Sequence, residues 1–265
     1  MSIQELPEEI ASYARMLAET ASHKLPSQHL GGLSLKLSQQ YRALGISLLL
    51  REANVDLFFH WLIQSALARR YFLERCQTEG NFASPYRRAS LVGPFFDAVT
   101  ATQWKLARKI ATLSADTHLP GEEYEDDFAY ARFLHLLTNF EASDTTGLKG
   151  ALDQFERALD GGMSVRLDLC HALLDKDQDA FDASFDGLLV DHELRMKKQQ
   201  KSILARDATF EPNRQVMVEG LALLQIATRL GLQTQSEYRF CPGLVRRVSY
   251  APYKPLAFPL IPLEE

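Results

Sequence analysis

PGEEYEDDFAYARF, residues 120–133, sets five carboxylates (Glu122, Glu123, Glu125, Asp126, Asp127) into six positions and runs straight into aromatics. On a helix advancing about 100° per residue from Glu122, Glu123 falls at about 100°, Glu125 at about 300°, Asp126 at about 40° and Asp127 at about 140°. The acids surround the first turns and do not converge on a point, which is poor geometry for a metal cage or an acid–base pair. Pro120 and Gly121 break the chain ahead of them, and each first-turn carboxylate gains about 0.3–1 kcal/mol against the positive end of the helix dipole. The stretch therefore reads as a helix start. The helix it opens, spanning about 122–140, carries Tyr124, Phe128, Ala131 and His135 on one side and Tyr130, Leu134 and Leu137 on another. A helix apolar around so much of its girth belongs at the centre of a fold, with Tyr124 and Phe128 as structural residues. Asp127 lies between the apolar arcs, so it is expected to turn inward onto an arginine or backbone donors.

Working outward, a 3.6-residue period dominates and alternating strand patterns are scarce. The fold class is all-α, an irregular stack of helical hairpins with an extended C-terminal tail. A first helix begins at Pro7 with Ile10, Tyr13, Ala14 and Leu17 on one face. A second covers about 33–50, and Asn54 or Asp56 opens a third. QTEGNFASPY is a loop. LVGPFFDAVTAT and QWKLARKIATLS follow as two short helices, the second with Trp104, Ala107, Ile110 and Ala111 together, which makes Trp104 structural. After the acid-led helix come LKGALDQFERAL (about 146–159), SVRLDLCHALL, DAFDASFDGLLVDHELRMKKQQ and EGLALLQIATRLGL, the last capped by Gly231. Three regions result: a helical N-terminal region 1–80, a hairpin core 81–235 and a proline-rich tail 236–265, expected to form one compact domain. The tail is anticipated as a strap anchored by Tyr250, Tyr253 and Phe258, with room for a short strand pair.

Composition narrows the class. Hydrophobic residues at 46% and charged residues at 24% exclude a disordered or collagen-like chain. The amino terminus lacks the basic start and apolar run of a signal peptide, and no apolar run approaches the ~20 residues of a membrane helix. Cys76, Cys170 and Cys241 form no ligand pattern and read as small buried apolar residues. A cytoplasmic location is expected. No metal, cofactor or nucleotide motif is present: the seven histidines make no HExxH, and there is no G-x-S-x-G or glycine-rich phosphate loop. His171 with Asp175, and His192 between Asp191 and Glu193, read as helix-surface coincidences. The bases Arg195, Lys197, Lys198 and Lys201 suit the C-terminal end of their helix.

Charge is unevenly spread. Residues 116–193 hold 19 acids and 5 bases, while residues 1–115 carry a net +4 and 194–265 a net +5. A one-signed surface steers a partner of the opposite sign and argues against nucleic acid as the ligand of the middle. Within DAFDASFDGLLVDHE, Phe181, Phe185, Leu188 and His192 share one arc, and Asp179, Asp182, Asp186 and Glu193 share a neighbouring, outward arc. Asp175 and Asp177 extend this ridge. The candidate contacts for a basic protein partner are therefore Asp175, Asp179, Asp182, Asp186 and Glu193, together with Glu122 and Glu125. An ordinary solvated face is the alternative.

QWKLARKIATLS, GEEYEDDFAYARFLHLL, ALLDKDQDAFDASFDGLL, EGLALLQIATRLGL and FCPG resemble, in order and spacing, the immunity proteins of bacterial polymorphic-toxin systems, immunity protein 49 family, over roughly residues 90–245. The resemblance implies an all-helical, non-enzymatic protein that needs no cofactor and that binds and neutralises a toxin encoded beside it. It names no contact residues. No membrane or nucleic-acid partner is expected, homo-oligomer formation is left open, and a helical scaffold or regulator with a protein or peptide ligand is the second reading. A helical metal-dependent hydrolase is the third.

Overall fold

The computed structural model describes residues 6–22, 25–139 and 145–246, and among these it is all-α. Eleven α-helices follow in order: α1 (Leu6–Ser22), α2 (Ser27–Glu52), α3 (Val55–Glu79), α4 (Gly93–Thr100), α5 (Trp104–Leu113), α6 (Glu125–Leu137), α7 (Thr146–Leu159), α8 (Val165–Asp175), α9 (Gln178–Gln200), α10 (Phe210–Gln215) and α11 (Val218–Leu230). Helices adjacent in sequence pack as hairpins, foremost α1 with α2, α2 with α3, α6 with α7, and α8 with α9. The turns explain why. Ala53 leaves α2 in the left-handed region, and the Asn54 side chain then accepts the Leu57 N–H at 3.0 Å to cap α3. Lys176 ends α8 in the same conformation, and Asp177 caps α9 by accepting the Ala180 N–H at 3.0 Å.

Helix α6 occupies the centre that its apolar girth demands. Phe128, Ala129, Tyr130, Ala131, Phe133, Leu134, His135 and Leu137 are all buried. Tyr124 departs from expectation. The helix starts at Glu125, so Tyr124 is its N-cap, accepts the Phe128 N–H through its carbonyl, and is itself 78% exposed. The arc drawn through Tyr124 and Phe128 assumed that both lay in the helix. Trp104 also opens its helix. It packs partly buried against the core, with the Arg229 guanidinium 4.8 Å from its ring centre.

The main core runs through every helix from α2 to α9 and into α11, while a second cluster joins α1 to α2 and α3 through Ile10, Leu17, Tyr41 and Trp61. Tyr13, placed on the apolar face of α1 by periodicity, is exposed. The three cysteines are free and buried, as the apolar packing of free cysteine leads one to expect. After α11, Gly231 caps the helix with φ 96°, a conformation open to glycine. The chain then folds back over the core: Cys241 and Val245 are buried, and the Phe240 carbonyl accepts the Met217 N–H at 2.9 Å. The expected strand pair is reduced to one isolated bridge, Tyr238 to Cys241, among the described residues. Tyr250, Tyr253 and Phe258 lie outside the described residues.

Candidate binding face and cleft

The carboxylates that open α6 reach different partners. Glu122 approaches Arg88 at 3.7 Å, and Glu123 accepts the backbone N–H groups of Ser90 and Leu119. Glu125 accepts from Gln154 at 3.3 Å, and Asp127 meets Arg166 at 3.3 Å. Among the described residues no group of three or more His, Cys, Asp or Glu side chains is placed to hold a metal ion. Asp127 has the arginine that its position called for, but sits at the rim with its side chain 44% exposed. Its carboxyl is raised, chiefly by desolvation and against the pull of Arg166.

Arg166 is the hub here. Its guanidinium lies 4.7 Å from the ring centre of Tyr130 and 3.0 Å from Glu219 Oε1, and Tyr130 Oη donates to Glu219 Oε1 at 2.9 Å. Burial pulls the Arg166 guanidinium down, but Glu219, Tyr130 and Asp127 more than offset it, so the group stays charged.

Helix α9 displays the acidic ridge. Its inward arc is buried through Phe181, Phe185, Leu188 and His192. Asp175, Asp179 and Asp186 are exposed and have no ion-pair partner among the described residues. Asp182 is half-buried and accepts from Gln178 at 3.1 Å. Glu193 is different: Lys197 Nζ at 2.6 Å and Arg239 Nη2 at 2.9 Å neutralise it. Those hydrogen bonds, Lys197 first and then Arg239, hold its carboxyl below the usual range. The free acids of the ridge are therefore concentrated at the α8–α9 turn and the first half of α9. Val190 and Leu194, 55% and 58% exposed, continue the same stripe. The sequence held that signal, because at 100° per residue Val190 falls about 20° and Leu194 about 60° from Asp179. His171 faces Glu156 of α7 at 3.0 Å, and His192 is no surface residue.

Behind α9 a cleft of about 340 Å³ opens between α2, α4, α8, α9 and the start of α11. Arg42, Arg166 and Arg195 line it with His192, Gln199, Asn213 and Glu219, over an apolar floor that includes Phe96 and Met217. These arginines come from three helices, and no local pattern ties them together.

Among the described residues no helix is long and apolar enough to cross a membrane. Among the described residues the protein is helical and strand-free, with an acidic stripe on α9 and an arginine-lined cleft behind it. The model of the family described as immunity protein 49 matches residues 89–243, more than half of the chain. The protein belongs to the immunity protein 49 family. Neither the curated proteins nor the solved structures contain a match.

Proposed function

We propose that this protein neutralises a cognate secreted bacterial toxin by binding it one to one in the cytoplasm, without catalysis, and that the stripe on α9 is the contact. Family membership supports a toxin as the partner. The observation that carries the site is the stripe itself: Asp179 and Asp186 without ion-pair partners, continued by exposed Val190 and Leu194 on a well-anchored helix. Apolar residues beside unsatisfied charge are what a specific interface uses, burying the first and steering with the second. A toxin that acts on nucleic acid carries a cationic active site, and an acidic stripe mimics the phosphate backbone such a site binds. Glu122 and Glu125, each held to a neighbouring side chain, stand as secondary contacts. Glu193 stabilises α9 through Arg239 and is a supporting residue more than a contact.

The test is co-expression with the toxin encoded beside it. The parent should protect the cell and co-elute with the toxin in a one-to-one complex, and Val190→Asp with Leu194→Asp should lose both while folding normally. A toxin that is chemically altered by catalytic amounts of the protein would contradict the proposal.

A further inference from the structure

The cleft behind α9 holds a donor array that the proposed contact does not use. Two helices begin at it. Met217 caps α11 without a side-chain hydrogen bond, and the N–H groups of Val218 and Glu219 have no acceptor among the described residues. Val92 caps α4 in the same way, with Gly93 at its first position. Uncapped helix starts present N–H groups and a positive dipole end to an anion.

Three arginines add to these. Arg42 Nε and Nη2 bond to Asp97, which leaves Nη1 without a partner among the described residues. The guanidinium lies flat against Gly93, where a Cβ would come within 2.5 Å of Nη2. Arg195 is exposed and, among the described residues, reaches only His192 Nδ1, at 3.4 Å. An arginine can only donate, so Nδ1 of this neutral imidazole is the acceptor and Nε2 carries the proton. His192 is 4% exposed, and that Nε2 makes no hydrogen bond of good geometry among the described residues, although the Arg214 backbone lies near enough to favour the charged ring.

We infer that this cleft is a carboxylate-binding site in which Arg195, the spare N–H of Arg42 and the first-turn amides of α11 hold one carboxylate. Charge decides for a carboxylate over a phosphate. Asp97 offsets Arg42 and Glu219 offsets Arg166, while Asp127 sits at the rim and does not line the cleft, so Arg195 is the one cation lining it without an acid partner among the described residues. A single negative charge is matched there and a second is not. The volume admits a carboxylate with a short chain, supplied by a free small acid or by an acidic side chain of the bound protein.

The first arm uses the free protein and does not depend on the toxin. ¹⁵N NMR titrations with acetate and with inorganic phosphate, against chloride at equal ionic strength, should show saturable acetate shifts at the Val218 and Glu219 amides. Arg195→Gln, an exposed change, should weaken acetate about tenfold while leaving the melting temperature in place, since losing one charge-assisted hydrogen bond is worth that factor. Shifts that do not saturate, that survive Arg195→Gln unchanged, or that phosphate produces more tightly than acetate would overturn the assignment. The second arm identifies the source. If Arg195→Glu weakens the toxin complex tenfold, an acidic group of the toxin occupies the cleft; if the complex is unchanged, the occupant is a free small acid. A toxin that fails to bind even the parent counts against the proposed function and leaves the acetate result standing.

Discussion

Arg42 and Asp97 form a bidentate pair, Nε to Oδ1 at 2.6 Å and Nη2 to Oδ2 at 2.8 Å, that ties α2, outside the family-matched residues, to α4 within them. Ser65 of α3 donates to the same Oδ2 at 2.5 Å, so one carboxylate joins three helices. Asp97 is fully buried, and that desolvation raises its carboxyl against the pull of Arg42 and Ser65. Removing one partner strands a desolvated charge, which typically costs about 3–5 kcal/mol. Asp97→Ala should therefore lower stability by about that amount in chemical denaturation. A loss below about 1 kcal/mol would mean that Arg42 finds water easily and that the pair is not a structural joint.

Glu219 and Asp127 share Arg166 unequally, and their variants should differ accordingly. Glu219 is mostly buried and holds both Arg166 and Tyr130 Oη, whereas Asp127 is nearly half exposed. Glu219→Ala should cost about 3 kcal/mol, since it leaves the buried Tyr130 hydroxyl unmet and the half-buried Arg166 with only the rim acid Asp127. Asp127→Ala should cost less than about 1 kcal/mol, as exposed ion pairs do. Equal losses in parallel urea titrations would contradict this division.

Three buried histidines make stability depend on pH. Burial lowers His60 to about 4, His135 to about 3 and His192 to about 4, so each is neutral in the folded protein. The unfolded chain binds these protons near pH 6.5, well above the folded values. As pH falls below about 6.5 the unfolded state takes up more protons, and stability is lost at up to about 1.4 kcal/mol per unit for each histidine until its folded pKa is reached. The melting temperature should thus fall steadily from pH 6.5 to 4. His135→Phe, which keeps an aromatic against Phe95, should flatten the slope. An unchanged slope would show that His135 is not held neutral.

Legibility followed the range of each signal. The burial of α6 follows from periodicity, the Gly231 cap from its residue type, and the structure decides for Asn54 over Asp56 as the cap of α3; all are encoded within a few neighbouring residues. Tyr124 was misread because first-turn carboxylates announce a helix without saying which residue enters it. Glu193 looked like a free ridge acid because a helical wheel cannot see Arg239, 46 positions away in sequence. The cleft had no local signature: Arg42 and Arg166 stand apart in the chain, Arg195 belongs to a basic run at the end of α9, and the three meet only when α2, α8 and α9 pack.

The most direct test of the account is the association rate of the protein with its toxin, followed by stopped flow from low to high salt. Screening shortens to about 8 Å at physiological ionic strength, so a rate driven by the α9 acids must fall as salt is added. Asp179→Lys, Asp182→Lys, Asp186→Lys should associate at least about tenfold more slowly at low salt and lose most of the salt dependence. Its stability should fall by no more than about 2 kcal/mol, because the exposed changes at Asp179 and Asp186 usually cost no more than about 0.5 kcal/mol each and half-buried Asp182 gives up one bond from Gln178. A triple variant that associates as fast as the parent at every salt concentration would show the stripe to be a solvated face and contradict the central claim.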